Sequence, residues 1–563
     1  MGSGTSYPTG DLLKSHKLRV ALLSAVITLA LVRIIATYSH FNHTNDEPAH
    51  IAAGIEWVNK AQYRYDYVHP PLARIAVAIG PYLAGARSSG KRSMWEEGNA
   101  ILYGAGRYDL ILSLARAGTL VFVVGAIIAV YLLGRRIYGR TTGLIASLLF
   151  STLPPIIAHG GQATNDMAIT ATLTFLILAA LYWADHPTLT RTVLLGCALA
   201  LAVLAKFNAF PFVAATVFPA FLLTRISTNK CLDATYSRWR WLRSAAICMA
   251  VAALLVWAGY RFSFDSAPAE DLDLIQAGID DAFGNRRTLH GLASSAVRSR
   301  LPAQEFFLGI GRTLAKASRG HSSYLLGDNR THGWWYFFPL SLAVKTPLAF
   351  LILVLVGVTS TAMGIHRCEN PSRLVPLVSA AALLLSVLPT PINLGVRYIL
   401  PIYPLLSVLA ANGVVFLCTH VSMGRFGMLA AILLVGWHLA SSAGAHPDYL
   451  AYFNELVARH PERVLLVSDL DWGQDLKRLE AVTKEKGIQE ISLCYPWSAD
   501  LSRHNLPTYR MLKPYERPKG WVALSVSCIY RGTRMPPYDQ YAWAKEVNDF
   551  TLIGKTIRLF RIP

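Results

Sequence analysis

The sequence predicts an all-α polytopic membrane protein with outer-face loops and a small C-terminal α/β domain; about eleven apolar runs are long enough to span. Three observations carry that expectation. The 563 residues are 53% hydrophobic and 15% charged, with mean hydropathy +0.36, too apolar for a soluble chain of this length. Apolar runs of about 20 residues recur as far as Ala443. Beyond that point the chain turns soluble in character.

The first span is about Leu18–Tyr38, preceded by Lys14 and Lys17. Arg33 lies near its far end, within snorkelling reach of the surface. The run is long and lacks a small-residue cleavage site, so a cleavable signal peptide is not expected. Residues 41–108 form the first outer loop. Span two, about Asp109–Leu133, ends in RRIYGR with Arg135, Arg136 and Arg140. Span three is about Thr142–Ile157, and AHGGQATND leads into span four, about Met167–Trp183. Lys206 separates spans five and six, about Arg191–Ala205 and Ala209–Leu223. A loop with Arg225, Lys230, Arg238, Arg240 and Arg243 precedes span seven, about Ser244–Phe262. Residues 263–345 form the second outer loop, closing on WWYFFPLSLAVK (Trp334–Lys345), which reads as an interfacial helix. Spans eight to eleven are about Thr346–Met363, Leu374–Leu388, Ile399–Leu417 and Gly427–Ala443. The module 1–443 is followed by the domain 444–563, in which PERVLLVSDLDWGQDLKRLEAVTKEKGIQEISLCY reads strand, turn, amphipathic helix, strand.

The formal charge of +19 is a balance often met in nucleic-acid binders. Here the positive charge falls in short loops, so membrane orientation explains it and no nucleic acid is expected. A cytoplasmic N-terminus puts Arg135, Arg136, Arg140, the Arg225–Arg243 loop, Arg367, Arg373 and Arg425 inside. The opposite loops 159–166 and 390–396 carry no Lys or Arg. The C-terminal domain then lies outside the cell inner (plasma) membrane. The seven cysteines are scattered without a CxxC pair, which predicts neither a metal cluster nor a disulfide framework.

This topology gathers ionisable residues at the outer face: Asp46, Glu47, His50, His69, Asp166, Lys206, Lys345 and Arg397. Such groups near membrane depth are costly and point to function. A carboxylate takes a proton from an attacking hydroxyl, and cations stabilise a departing phosphate. Each residue also has an ordinary role. Asp46-Glu47-Pro48 is a helix start, and Asp166 caps the fourth span. Lys206, Lys345 and Arg397 serve as headgroup anchors, and His69 before Pro70-Pro71 is a loop residue. Asn42-His43-Thr44 and Asn329-Arg330-Thr331 fit the glycosylation sequon, a triplet too frequent to decide anything. Gly104, Gly106, Gly309 and Gly311 do not precede a strand-turn-helix phosphate loop, so a nucleotide donor bound there is not expected. The alternative reading is a transporter or flippase of a lipid-linked or anionic substrate, for which inverted repeats are expected and none is visible. A scaffold is a third reading, with Asp469, Asp471 and Asp475 as a binding surface unless they end a strand and cap a helix.

The order of the motifs carries a resemblance. A span is followed by Asp46-Glu47-Pro48, HPPL (His69–Leu72), Asn165-Asp166, AKFNA (Ala205–Ala209), GWWYFFP…VKTP (Gly333–Pro347) and GVRYILPIYP (Gly395–Pro404). This resembles integral-membrane glycosyltransferases of the GT-C fold, of the glycosyltransferase family 39 type, which include protein O-mannosyltransferases and bacterial aminoarabinose-to-lipid-A transferases. The tail AYFNELVARHP…DLDWGQDLKRL is similar to the soluble end of uncharacterised bacterial members. The resemblance implies inverting hexosyl or pentosyl transfer from a polyprenyl-phosphate donor to a hydroxyl of a protein, lipid or glycan, among membrane lipids. It implies Asp46 as catalytic base and Glu47 as its neighbour, positioning the acceptor or a metal. Asp166 is then the second acidic motif, with His69 and His50 in the vicinity of substrate or metal. Arg397, with Lys345 and Lys206, faces the donor phosphate. A divalent metal ion is left open: Asp46 and Asp166 together would allow one, though no His/Cys spacing demands it. The 263–333 loop is too short for the β-trefoil of eukaryotic mannosyltransferases, and the spans are fewer than in the aminoarabinose transferases.

Overall fold

A computed structural model describes residues 15–104, 106–227, 238–264, 299–366, 370–420, 422–533 and 536–563, with a few positions between 265 and 298. Lys14, Lys230, Arg367 and most of 265–298 lie outside the described residues.

Helix α1 (His16–Ile35) starts at Ser15, whose hydroxyl accepts from the Leu18 amide. The first outer loop folds into four short helices: α2 (Glu47–Lys60), α3 (Leu72–Leu83), α4 (Met94–Tyr103) and α5 (Tyr108–Ala117). Then come α6 (Leu120–Ile137), α7 (Arg140–Ser151), α8 (Pro154–Gly160), α9 (Asp166–Asp185), α10 (Leu189–Ala205), α11 (Ala209–Ser227) and α12 (Arg238–Gly259). Within the second outer loop lie α13 (Gln304–Arg319), the hairpin of β1 (Ser323–Leu325) and β2 (Asp328–Arg330), and α14 (Phe337–Lys345); α15 (Leu348–His366), α16 (Val375–Val387), α17 (Tyr403–Thr419) and α18 (Gly424–Gly444) follow.

This is a multi-span membrane protein. Among the described residues seven helices are long and apolar enough to cross a membrane: α1, the continuous α5–α6, α9, α11, α12, the Val396–Thr419 run and α18. Two further spans are bent pairs, α7 with α8 at 66° and α14 with α15 at 112°. Length alone therefore admits seven to nine spans rather than eleven. The other two expected spans are apolar helices that end where expected but are at most 17 residues long, Leu189–Ala205 and Pro371–Val387; α10 rises only about 25 Å. The bends have local causes. Pro154 and Pro155 lack the amides that would continue α7, and Thr346, held extended before Pro347, turns the chain between α14 and α15.

Helix α9 is the hub, largely buried among α6, α10 and α11. Its Thr170, Thr172 and Thr174 hydroxyls donate to carbonyls one turn back, so the polar groups are satisfied in place. Helices α15 and α17 touch through glycines: a Cβ on Gly357 would sit 1.9 Å from the Leu409 carbonyl oxygen. Arg33 does not snorkel, because α18 and the chain after it offer partners: it donates to the Ser442 carbonyl at 2.6 Å and to Tyr449 Oη at 3.1 Å. The basic loops meet at one end of the bundle. Arg136 pairs with Asp185 at 2.6 Å, and Tyr138 Oη donates to the Arg373 carbonyl at 2.7 Å. Asp166 sits at the opposite end of α9.

The C-terminal region holds a five-stranded sheet of order β4-β3-β5-β7-β6, with β3 (Glu490–Cys494), β4 (Thr508–Met511), β5 (Gly520–Ser525), β6 (Phe550–Ile553) and β7 (Ile557–Ile562). Strands β4, β3 and β5 run parallel, and β7 closes antiparallel on β5 and β6. Helix α19 (Leu476–Glu485) and β3 lie where the sequence places them. The strand expected before them does not form. Residues 461–469 are 3-10 turns and irregular chain, because their polar groups pair with the membrane module: the Val464 carbonyl accepts from Leu326 N, and the Ser468 hydroxyl donates to the Leu394 carbonyl. Helix α20 (Val526–Arg531) carries Cys528, which forms a disulfide with Cys494 of β3 across a Cα–Cα distance of 6.3 Å. The expectation of no disulfide is thereby overturned. A separation of 34 residues leaves no local spacing to read, and the fold alone brings the two thiols together.

Candidate active site

Asp46 occupies the N-cap position of α2 but does not cap it. Its Oδ2 accepts from Arg397 Nη1 at 2.9 Å, and its Oδ1 accepts from Asn45 Nδ2 at 3.0 Å. Arg397 follows a tight turn at Gly395, whose φ of +85° suits glycine. Its Nη1 also stands 3.9 Å from Asp166 Oδ2. Asp166 opens α9, fully buried, and its Oδ1 accepts from Lys206 Nζ at 2.7 Å. Lys206 sits at the break between α10 and α11, over the Tyr398 ring. The result is an alternating chain, Asp46–Arg397–Asp166–Lys206. Burial alone would raise the Asp46 carboxyl, but the Arg397 guanidinium and its other partners outweigh burial and hold it well below the usual carboxylate range.

A cleft opens beside this chain, lined by His69, Asn165, Lys206, Asn208, Lys316 and Arg397 among others. Three of those six are cations. The Asn165 amide nitrogen is buried without a hydrogen-bond partner, on a residue 2% exposed. Asn165, Asn208 and Lys316 were not among the sequence candidates. The two asparagines neighbour Asp166 and Lys206 inside the quoted motifs, a signal that was there to read. Lys316 lies on α13 in a loop with no motif.

The remaining candidates sit elsewhere. The Glu47 carboxylate is fully buried and accepts from Arg116 Nε at 2.8 Å, Arg116 Nη2 at 2.9 Å, Thr44 N at 2.7 Å and Ala163 N at 2.9 Å. Burial raises this carboxyl, and Arg116 with the two amides brings it below its ordinary value. Glu47 thus ties the first loop to α5 and the 162–163 turn. Lys345 does not line the cleft; its Nζ donates to the carbonyls of Leu450 at 2.8 Å and Asp469 at 2.6 Å and lies over Phe453. His50 and His69 join one buried network around Arg74. His69 Nδ1 meets Asp66 Oδ2 at 2.9 Å, Arg74 Nη2 donates to the same oxygen at 2.5 Å, and Arg74 Nε donates to His50 Nδ1 at 3.0 Å. Burial, then Arg74 and His69, push His50 well below the ordinary histidine value. The His50 amide donates to the Asp46 carbonyl, which sets this network directly behind the acid.

Among the described residues no group of three or more His, Cys, Asp and Glu side chains is placed to hold a metal ion. Asp46 and Asp166 each face cations instead. Asn42 is fully buried, its amide donating to the Gly473 carbonyl at 2.7 Å, so that sequon is closed to glycosylation. Asp475 precedes α19 without capping it; its carboxylate accepts from Lys555 N, Thr556 Oγ1 and Arg478 Nη1.

Residues 113–257 match the family model for dolichyl-phosphate-mannose-protein mannosyltransferases. No curated protein matches the chain. The oligosaccharyltransferase of Archaeoglobus fulgidus, solved in the apo form, is similar over 94% of this chain and 73% of its own, at 12% identity and a TM-score of 0.51. The same protein tethered to an acceptor peptide with the NVT sequon aligns over 94% and 72%, at 12% identity and a TM-score of 0.51. ArnT from Cupriavidus metallidurans, bound to undecaprenyl phosphate, aligns over 97% and 98%, at 12% identity and a TM-score of 0.46. The architecture of this chain is the GT-C fold of polytopic membrane glycosyltransferases.

Proposed function

We propose that this chain is an inverting glycosyltransferase that moves a hexosyl or pentosyl group from a polyprenyl-phosphate donor to a hydroxyl of a protein, lipid or glycan at the outer membrane face. The observation that carries the reading is the Asp46–Arg397 ion pair, whose arginine lines a cationic cleft. The family description of residues 113–257, which names a dolichyl-phosphate sugar, supports it. A lipid tail cannot leave the bilayer, so its phosphate stays at headgroup level, where the cleft lies just beyond the spans. Arg397 and Lys206 hold that phosphate, with Asn165 and Lys316 as further donors to its oxygens. The acceptor oxygen attacks the anomeric carbon from the side opposite the phosphate. The new carbon–oxygen bond forms as the bond to phosphate breaks, the hydroxyl proton passes to Asp46, and polyprenyl phosphate leaves with the electron pair. In the resting chain base and cation satisfy each other. An arriving phosphate competes for Arg397, and the released carboxylate regains proton affinity. Glu47 serves this site by holding the loop, and Lys345 by holding the chain around Asp469.

We place the N-terminus in the cytoplasm and residues 444–563 outside a plasma or inner membrane, over the 1–443 module. The clustered basic loops at the far end of α9 support this, as does the Cys494–Cys528 disulfide, since such bonds persist in oxidising compartments.

The test is transfer by the purified protein in nanodiscs, from a short polyprenyl-phosphate sugar to a panel of hydroxyl acceptors. Asp46→Asn should lower turnover by about 10²–10⁴-fold while polyprenyl phosphate still binds. Near-normal turnover overturns the base assignment. Movement of intact donor across sealed vesicles, with no sugar transferred, turns the assignment to a flippase.

A further inference from the structure

We infer that the C-terminal segment Ser468–Gln474 completes the donor site, with Trp472 as the positioning residue for Arg397. This rests on the reading of Arg397 as a phosphate ligand. In sequence these residues, SDLDWGQ, offered only acids for caps or a partner surface. In the fold they lie beneath the ion pair. The Trp472 ring is 1% exposed, with the Arg397 guanidinium carbon 4.3 Å from its centroid. His159 closes edge-on to the same ring at 6.3 Å.

The segment also grips the backbone on both sides of the pair. The Trp472 carbonyl accepts from Asn45 N at 3.0 Å, the residue before Asp46. Ser468 Oγ donates to the Leu394 carbonyl at 2.6 Å, and Asp469 Oδ1 accepts from Val396 N at 2.9 Å, the residue before Arg397. Lys345 in turn holds the Asp469 carbonyl. Gly473, with φ of +87°, leaves room beside Trp497, where a Cβ would come within 2.7 Å of the indole. Base and phosphate cation are thus aligned by one short stretch from the far end of the chain.

The stacking has a chemical consequence. A guanidinium is planar and binds phosphate through its edge. The indole occupies one face, while Nε and Nη1 hold the Leu394 carbonyl and Asp46. The aromatic face fixes the plane in which the guanidinium edge meets an incoming phosphate. Truncating Trp472 therefore acts on donor capture and leaves the acceptor side alone.

The experiment uses full-length protein in nanodiscs, with polyprenyl phosphate as the binding probe and donor KM, acceptor KM and kcat from the transfer assay. Trp472→Leu should weaken polyprenyl-phosphate binding and raise donor KM by about tenfold, with acceptor KM and saturated kcat within about twofold of wild type. Trp472→Phe should restore donor KM to within about threefold, because a ring face is retained. Ser468→Ala removes one hydroxyl and reads the same quantity if the leucine variant does not fold; donor KM should rise about threefold. Unchanged donor KM in the folded variants overturns the inference, as does a kcat loss that follows the melting temperature equally in Trp472→Leu and Trp472→Phe. Wild-type protein that fails to bind polyprenyl phosphate instead overturns the donor reading itself.

Discussion

Asp46 and Glu47 are neighbours with opposite fates. Glu47 is fully buried, and five hydrogen bonds saturate its carboxylate. The Asp46 side chain keeps 28% of its surface exposed and depends on Arg397, a partner shared with Asp166. Both carry depressed carboxyls and both pair with arginine, so charge and pairing alone do not separate them. What separates them is spare capacity. A saturated carboxylate has no room for a substrate, whereas a shared, partly open pair can be rearranged by one.

The largest expected difference is catalytic. Asp46→Asn should lose about 10²–10⁴-fold in turnover with little change in melting temperature, whereas Glu47→Gln should keep turnover per folded molecule within about tenfold. Glu47→Gln matching Asp46→Asn in turnover, at unchanged stability, would break the comparison. Next in size is Arg116→Ala, which strands a buried carboxylate; thermal or denaturant unfolding should register a loss of about 3–5 kcal/mol.

Acidity sharpens the contrast further. With Arg397 in place, Asp46 stays ionised as pH falls through about 3.9, the value of an unperturbed Asp. Its contribution to stability is complete above that pH and is lost only as pH falls through the lower folded value. Arg397→Gln removes the largest influence opposing burial, so the acid limb of residual kcat/KM should move up by about 1–3 pH units. An unmoved limb would detach Asp46 from the reaction. The smallest effect is expected from Asn45→Ala, which removes one hydrogen bond to Asp46; kcat/KM should fall by about fivefold, with unfolding unchanged.

Hydropathy located every span because each carries an apolar stretch that stands out from its flanks, the continuous α5–α6 and α1 most plainly. It was silent on the 66° and 112° bends, which depend on prolines and extended residues. At the site, Asp46, Asp166, Lys206 and Arg397 were legible because charge beside apolar runs is expensive and therefore conspicuous. Their partnering was not. Local rules made Asp46 and Asp166 helix caps, and both side chains turn instead to cations far away in sequence. Trp472 gave no signal, because an aromatic residue near buried chain reads as core until the guanidinium above it is seen. The strand expected at 464–468 failed for the same reason: its polar groups are used between modules.

The grip of Ser468–Gln474 on the Asn45 and Leu394–Val396 backbones bears on how the protein is born. A nascent chain can insert all its spans while Trp472 is still to be translated. At that stage Asp46 and Arg397 are present but not aligned. That stretch emerges after the spans and arms the machinery once it folds back, so a translation product truncated before it sits in the membrane with its acid and its arginine and without an assembled centre.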